Sequence, residues 1–437
     1  MNILTTTMCY PTPDHPDRGI FVQRRAAALP VQDITDEPYA DPIHLRVVAP
    51  QPWCPGLRHN TNPAAQNHPL PTDYPRMFSI PVLGWATDGL AYGWALRRYI
   101  EGMPEPIDLI DAHFEYPDGV GAWLAARRLG LPVVVTVRGK IVSLSKRTIR
   151  RRQIAAMLRG VDARISVSES LMNWIHRVAG SDLEVDLIPN GIDSDTFHLM
   201  DREQARTALG WNPANRYLLS VGHLQWLKGF DRLVEALPAV RAARGNVRLV
   251  LAGSLRGERR FCRQVKAMID QCNALSIRDT GNPCVEFTGP VTADQLNLMY
   301  NAADAMVLAS RSEGCSNAIA EALAAGTPVV ATDVGGNYEQ VCSRELGILV
   351  PDGDSFALSR AMGQVLDQAW NRPLISAHGV ARGWRHVADE VRSVFNRVLQ
   401  HRRAWIANAI LGASSAMSYR YASEREQTPA ARTEVGP

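Results

Sequence analysis

Long apolar runs are missing from these 437 residues. Stretches such as 131–137 (LPVVVTV) fall far short of the roughly 20 apolar residues that a membrane-spanning helix needs. No basic segment followed by an apolar one opens the chain, so no signal peptide is expected, and MNILTTTMCY reads as a first strand. Cysteine is sparse and scattered: Cys9, Cys54, Cys262, Cys272, Cys284, Cys315 and Cys342 are odd in number and form no CxxC pair. That argues against a disulfide framework or a zinc site and for a reducing, cytoplasmic setting. Charge of one sign is also lacking. The formal net charge is +3, which gives no global reason to bind nucleic acid. No G-x-G-x-x-G follows the first strand, which disfavours a nicotinamide dehydrogenase.

What is present is ordinary in composition and regular in pattern. Hydrophobic residues make up 46% and charged residues 21%, as in soluble globular proteins. The chain is too long for one core and predicts two domains of roughly 150–200 residues each. Short apolar runs at 2–8, 44–49, 107–112, 132–137, 163–168 and 185–188 alternate with helical patterns at 20–29, 88–101, 118–129, 147–159 and 169–178. The alternation resumes with strands at 216–221, 247–252, 285–287, 305–309, 328–331 and 347–350. Helices between them are expected at 228–243, 257–273, 292–301, 316–325, 335–342 and 354–367. Strands separated by helices imply parallel βαβ units, hence two Rossmann-like doubly wound α/β domains, 1–188 and 189–375, joined by a Pro-Asn-Gly hinge in IPNGID. Residues 50–75 predict a surface loop. The segment 376–400 predicts an amphipathic helix, and 401–437 an extension ending in a disordered tail.

The most informative stretch is 310–336, SRSEGCSNAIAEALAAGTPVVATDVGG. A strand ends at Ala309, and a helix opens near Ser316 or Asn317, both suited to capping it. A helix N-terminus at the carboxyl end of a parallel strand is where open α/β sheets bind ligands. The N–H groups of Gly314, Cys315, Ser316 and Asn317 would face that crevice. Glu313 precedes the helix and Glu321 lies about a turn inside it. A carboxylate can accept from paired hydroxyls, such as those of a sugar or a ribose. In VGHLQWLKGF, Lys228 opens a helix, where a compact cation can neutralise a pyrophosphate. Paired Gly335 and Gly336, and Gly19 after the first strand, would allow close backbone approach to a ligand. His113 and Glu115 in DAHFEYPDG follow a strand at the expected cleft edge, with Asp118 placed to cap the next helix. Region 119–168 is strongly basic: Arg127, Arg128, Arg138, Lys140, Lys146, Arg147, Arg150, Arg151, Arg152, Arg159 and Arg164 are set against Asp162 alone. Such a face suits an anionic membrane, a pyrophosphate-linked acceptor, or simply water.

These motifs resemble the GT-B fold retaining glycosyltransferases of glycosyltransferase family 4 over roughly residues 1–400. EGCSN with Glu321, GTPVVATDVGG, IPNGID, VG…KG and the LVPDGD turn carry the resemblance. It implies two domains facing across a cleft, the first holding the acceptor and the second a nucleotide sugar, with 376–400 crossing back to the first. Glu321 would hold the ribose, while Glu313 and the 314–317 N–H groups would hold the sugar. Lys228 would hold the diphosphate, approached by Gly19. The resemblance implies neither metal nor cofactor, with a UDP- or GDP-sugar as co-substrate and a glycan or lipid-linked acceptor, as in surface polysaccharide assembly. Two departures stand out. His223 replaces the usual Arg five residues before Lys228. Arg138 stands in a loop where relatives often carry His, so the expectation is an exchange of one cation between domains, with Arg138 joining Lys228 and Glu313 as a catalytic candidate. His113 and Glu115 would serve the acceptor side. The competing expectation is a degenerate nucleotide-sugar binder of the same fold, acting as a regulator or scaffold.

Overall fold

The computed structural model describes residues 1–30, 42–55, 68–80, 84–139, 141–144, 146–255 and 258–426. Lys140, the middle of the expected 50–75 loop and residues 427–437 lie outside the described residues. The first half carries β1 (Asn2–Thr6), β2 (His44–Val48), β3 (Gln51–Trp53), β4 (Thr72–Asp73), β5 (Arg76–Phe78), β6 (Leu109–His113), β7 (Val133–Val137), β8 (Ala163–Ser166) and β9 (Asp186–Leu187). The second carries β10 (Arg216–Val221), β11 (Val247–Ala252), β12 (Val285–Gly289), β13 (Ala305–Leu308), β14 (Val329–Thr332) and β15 (Gly347–Val350). Strands β4-β2-β1-β6-β7-β8-β9 form one sheet and β12-β11-β10-β13-β14-β15 another, all with parallel pairings. A small parallel pair, β3-β5, stands apart. The runs are uniformly apolar because helices cover both faces. All five residues of β7, VVVTV, are buried.

Both large sheets reverse their strand order beside the first strand, at β1/β6 and β10/β13. Ligands collect outside the carboxyl ends of strands at such switch points. Here the loops leaving β1 and β6 confront those leaving β10 and β13 across one cleft, lined by Gly19, Phe114, Lys228 and Glu313. The architecture is therefore GT-B: two Rossmann-like domains facing across a cleft.

Three expectations need correction. The single helix over 376–400 is two. Arg372–Val380 packs on the second domain through Ile375 and the Ser376 hydroxyl, which donates to Ala324 O at 2.7 Å. After a break at 381–383 a second helix, Trp384–Glu426, lays Val387, Val391, Val394, Phe395 and Val398 against Ile3, Val22, Leu45 and Leu109 of the first domain. The crossing runs beside the earlier one: Ile192 N donates to Arg382 O at 2.9 Å. Second, that helix continues to Glu426, where the composition had suggested disorder. Third, the 50–75 segment contains β3 and β4, too short for periodicity to reveal.

Candidate active site

The cleft encloses about 880 Å³. One wall comes from the loop after β1 (Cys9, His15, Asp17, Arg18, Gly19), the helix residue Phe21, the β6 exit at Phe114, and the β7 exit at Arg138, Gly139, Val142 and Lys146. The other comes from the β10 exit (His223 to Lys228), Arg232, the β13 exit (Arg311 to Gly314) and Asp352.

At its centre Lys228 Nζ donates to Glu313 Oε1 at 2.7 Å, and the Ser310 hydroxyl donates to the same oxygen at 2.6 Å. The Glu313 side chain is 9% exposed and that of Lys228 25%, so this pair is shielded more than a surface ion pair. Backbone turns set its geometry. Gly229, at φ 67°, lies so close to Ala309 O that a Cβ would stand 1.9 Å from it. A single glycine contact thus presses the Lys228 turn onto the end of β13. Arg311 fixes the same junction, gripping Asp231 through two bonds of 2.9 and 2.7 Å and lying 4.6 Å over the Trp226 ring.

The Gly335-Gly336 turn has a different use from the expected one. Its glycines are absent from the cleft lining and lie behind the Glu313 loop. A Cβ on Gly335 (φ 58°) would sit 1.9 Å from Glu313 O, and Gly336 N donates to Gly314 O at 3.2 Å. The pair lets two loops touch backbone to backbone and supports the site from beneath. Gly19 lines the cleft, yet it too is required by protein: a Cβ there would stand 1.9 Å from Cys9 O.

The predicted row of open N–H groups is also altered. Gly314 faces the cleft, but Ser316 N donates to Gln340 Oε1 at 2.9 Å, and the Ser316 side chain makes no capping bond. Cys315 packs against the first domain's core, where burial pushes its thiol up to about 11. Asn317 Oδ1 accepts from Asn190 Nδ2 at 3.0 Å. Glu321 lies one helical turn behind the cleft, accepting from the Tyr300 hydroxyl at 3.2 Å. Burial raises its carboxyl to about 7, against the opposing pull of the Arg24 charge and the Tyr300 donor.

His113 and Glu115 are fully buried, not at the cleft edge as expected. Both hold Arg138. Arg138 Nε donates to His113 Nδ1 at 3.0 Å and Arg138 N to Glu115 Oε1 at 3.0 Å. Because Nδ1 accepts, the ring proton sits on Nε2 and points to Asp111 Oδ2, 3.1 Å away. Burial and the Arg25 charge lower His113 to about 3, so the ring stays neutral. Asp111 is held below the ordinary carboxylate range: burial alone would raise it, but Arg25, 2.6 Å away, and His113 outweigh that. Burial also lowers Arg138, which remains cationic at neutral pH. Arg138 Nη1 then donates to Asn190 Oδ1 at 2.7 Å, completing a chain from Asp111 through His113 and Arg138 to Asn190 and Asn317 of the other domain. Asp118 does not cap the following helix; its carboxylate accepts from Met8 N.

His223 sits at the mouth, bonded to the Ser254 hydroxyl at 2.7 Å and 3.7 Å from Asp17 of the opposite domain. Arg18, Phe114 and Trp226 escaped the sequence reading. Phe114 is the one non-glycine residue at positive φ (71°) among the described residues, and it lines the cleft, where backbone strain often marks a ligand wall. The basic region 119–168 divides. Arg138 and Lys146 face the cleft, and Arg159 and Arg164 bond backbone carbonyls. Arg147, Arg151 and Arg152 are exposed beside Ile149. No helix among the described residues is long and apolar enough to cross a membrane.

Comparison with known proteins gives the family and the fold. Residues 215–368 match the family described as "Glycosyl transferases group 1", and 43–196 match "Glycosyltransferase Family 4". The chain is 30% identical over 320 residues to the D-inositol 3-phosphate glycosyltransferase of Xylanimonas cellulosilytica, covering 68% of this chain and 73% of that one. The enzyme of that name from Acidothermus cellulolyticus is 26% identical over 88% of this chain and 86% of its own. Sucrose-phosphate synthase from Thermosynechococcus elongatus superposes with a TM-score of 0.68 at 19% identity, covering 94% of this chain and 100% of that chain. Anabaena HepE in complex with UDP gives 0.68 at 19% identity, covering 91% and 100%.

Proposed function

The chain belongs to the group 1 glycosyltransferases, and from that premise we propose that it is a retaining, metal-independent enzyme that moves a sugar from a nucleoside diphosphate onto a hydroxyl of an anionic acceptor. The observation that carries this reading is the Lys228–Glu313 pair of 2.7 Å, facing Arg138 across the cleft. The donor diphosphate would draw Lys228 away from Glu313, and Glu313 would then accept from the sugar hydroxyls. Negative charge builds on the leaving phosphate while the sugar becomes oxocarbenium-like. Fixed cations aimed at that charge lower the barrier most. The bond from the anomeric carbon to the phosphate oxygen breaks and one to the acceptor oxygen forms on the same face. The acceptor proton passes to the departing phosphate.

On the donor wall each cation already has a carboxylate: Lys228 with Glu313, Arg232 with Asp352, Arg311 with Asp231. On the facing wall neither Arg18 nor Lys146 has an ion-pair partner among the described residues. That asymmetry favours an acceptor carrying phosphate, whether a phosphorylated polyol, as in the names of the curated relatives, or a lipid diphosphate used in surface glycan assembly. For the second, Arg147, Arg151 and Arg152 beside exposed Ile149 would suit anionic headgroups. The HepE complexes with UDP and UDP-glucose support a nucleoside diphosphate sugar as donor, with UDP- and GDP-sugars the first candidates.

The experiment is a thermal-shift screen of UDP-, GDP- and ADP-sugars, followed by nucleotide release with inositol phosphate or lipid-diphosphate acceptors. A donor that stabilises the protein and is consumed only with an anionic acceptor is the expected result. Stabilisation with no nucleotide released under any acceptor would instead favour a binding protein, and no stabilisation by any donor would remove the proposal.

A further inference from the structure

Two of the seven cysteines, unrelated by any sequence motif, are brought into contact far from the cleft. Cys272, in the helix Arg259–Thr280, and Cys284, just before β12, have sulfurs 3.4 Å apart. Both are free thiols and both are buried. Their approach is imposed by the fold. Asn273, next to Cys272, accepts from the N–H groups of Cys284 and Val285 at 2.9 and 2.8 Å and donates to Val285 O at 2.9 Å. One side chain thus clamps the start of the strand to the helix. Arg241, from the helix Phe230–Arg244, reaches the same spot, donating to the Ser276 hydroxyl at 2.9 Å. A cavity of about 380 Å³, lined by Cys272, Cys284, Arg241, Ser276 and Pro238, adjoins the sulfurs and admits a small reagent.

We propose that Cys272 and Cys284 form a site of reversible oxidation, closing to a disulfide on reaction with hydrogen peroxide. A reactive thiol needs thiolate character and access. Access comes through the cavity. At 3.4 Å either sulfur can donate to the other; with Cys272 as the donor, its S–H holds Cys284 below the ordinary thiol range. The Cys284 thiolate attacks one peroxide oxygen, giving a sulfenic acid and expelling the other oxygen as water after protonation. Cys272 then attacks that sulfur and releases the second water. Two thiols and one peroxide become one disulfide and two waters, and a dithiol reductant reverses the change. The sulfurs need approach by roughly 1.4 Å to reach bonding distance, within the reach of side-chain rotation. The bridge would pin edge strand β12 to its covering helix and restrict the loop between them in the unfolded chain.

The test treats the full-length protein with stoichiometric hydrogen peroxide, blocks remaining thiols with an alkylating agent in denaturant, and maps the product by mass spectrometry. Two thiols are expected to escape alkylation, to appear as a Cys272–Cys284 cross-linked peptide 2 Da lighter, and to return after reduction. The oxidised protein should melt several degrees higher. Cys272→Ser should lose both the cross-link and the melting shift while keeping the unoxidised activity, and Cys342→Ser should keep both. Oxidation that leaves this pair reduced, or that stops at a sulfinic acid on exposed Cys342, would overturn the assignment. Should Cys272→Ser fail to fold, the peptide map of the unaltered protein decides alone.

Discussion

Lys228 and Glu313 neutralise each other in the closed cleft, so removing either leaves the other a partly buried, unbalanced charge. Lys228→Ala is expected to lower kcat/KM by roughly 10²–10³-fold, the scale for losing one fixed stabiliser of a developing oxyanion. Glu313→Gln should raise the donor KM and leave Lys228 available to free diphosphate; steady-state kinetics with product inhibition by the nucleoside diphosphate checks both. Glu321 makes a second, pH-dependent prediction. Its carboxyl is raised from 4.5 to about 7, so the folded protein favours the protonated form. The stability it contributes is full below pH 4.5 and is lost as the pH rises through 7. Glu321→Gln should therefore melt higher than the unaltered protein at pH 8, with little difference at pH 4.5. If the carboxylate accepts ribose hydroxyls, donor affinity of the unaltered protein should rise between pH 6 and 8, and that of the variant should stay flat. Titration calorimetry across that range decides it. Which residues touch the cleft was only partly legible. Glu313 and Lys228 were readable because their motifs place them at strand exits. His113 and Glu115 misled because the strand exit is buried from 111 through 116: His113 turns inward to Asp111, and the residue they support, Arg138, does the facing.

Among elements, tight turns carry the site. The strand and helix alternation could be read because each element is long enough to show a period. What could not be read was how one turn rests on another. The paired glycines at 335–336 announced close approach, but sequence does not say to what. The answer is the carbonyl of Glu313. Gly335→Ala would force a Cβ into that oxygen at φ 58°, at a cost of order 1–3 kcal/mol. The expected outcome is a lower melting temperature together with a loss of donor binding, although residue 335 lies outside the cleft lining. An unchanged donor Kd would show that the Glu313 loop keeps its place without this support. The interrupted helix at 381–383 was missed for a related reason: apolar spacing continues across the break, because both pieces are amphipathic.

At the scale of the whole molecule, the two domains are latched. The Glu339 carboxylate of the second accepts from the N–H groups of Glu169 and Ser170, at 2.8 and 3.1 Å, where a first-domain helix begins. A carboxylate at a helix N-terminus stabilises by about 0.3–1 kcal/mol, and up to ~2 when partly shielded. Glu339→Gln should shift the closed population roughly 2- to 5-fold toward an open form, and up to ~30-fold if the shielding is strong. Small-angle scattering should record a larger radius of gyration, with turnover slowed and the melting temperature of each domain little changed. An identical scattering profile would mean that the Arg138–Asn190–Asn317 chain and the Gly139–Gly314 contact suffice for closure.

The return of Trp384–Glu426 to the first domain also bears on how the protein is made. A ribosome finishes β1 through β9 long before Val387, Val391 and Phe395 exist to cover Ile3, Leu45 and Leu109. That face of the first sheet must therefore wait, its greasy outer layer bare, until Trp384–Glu426 emerges. A chaperone has that interval in which to act, and a stop codon placed just after Arg382 would make the wait permanent.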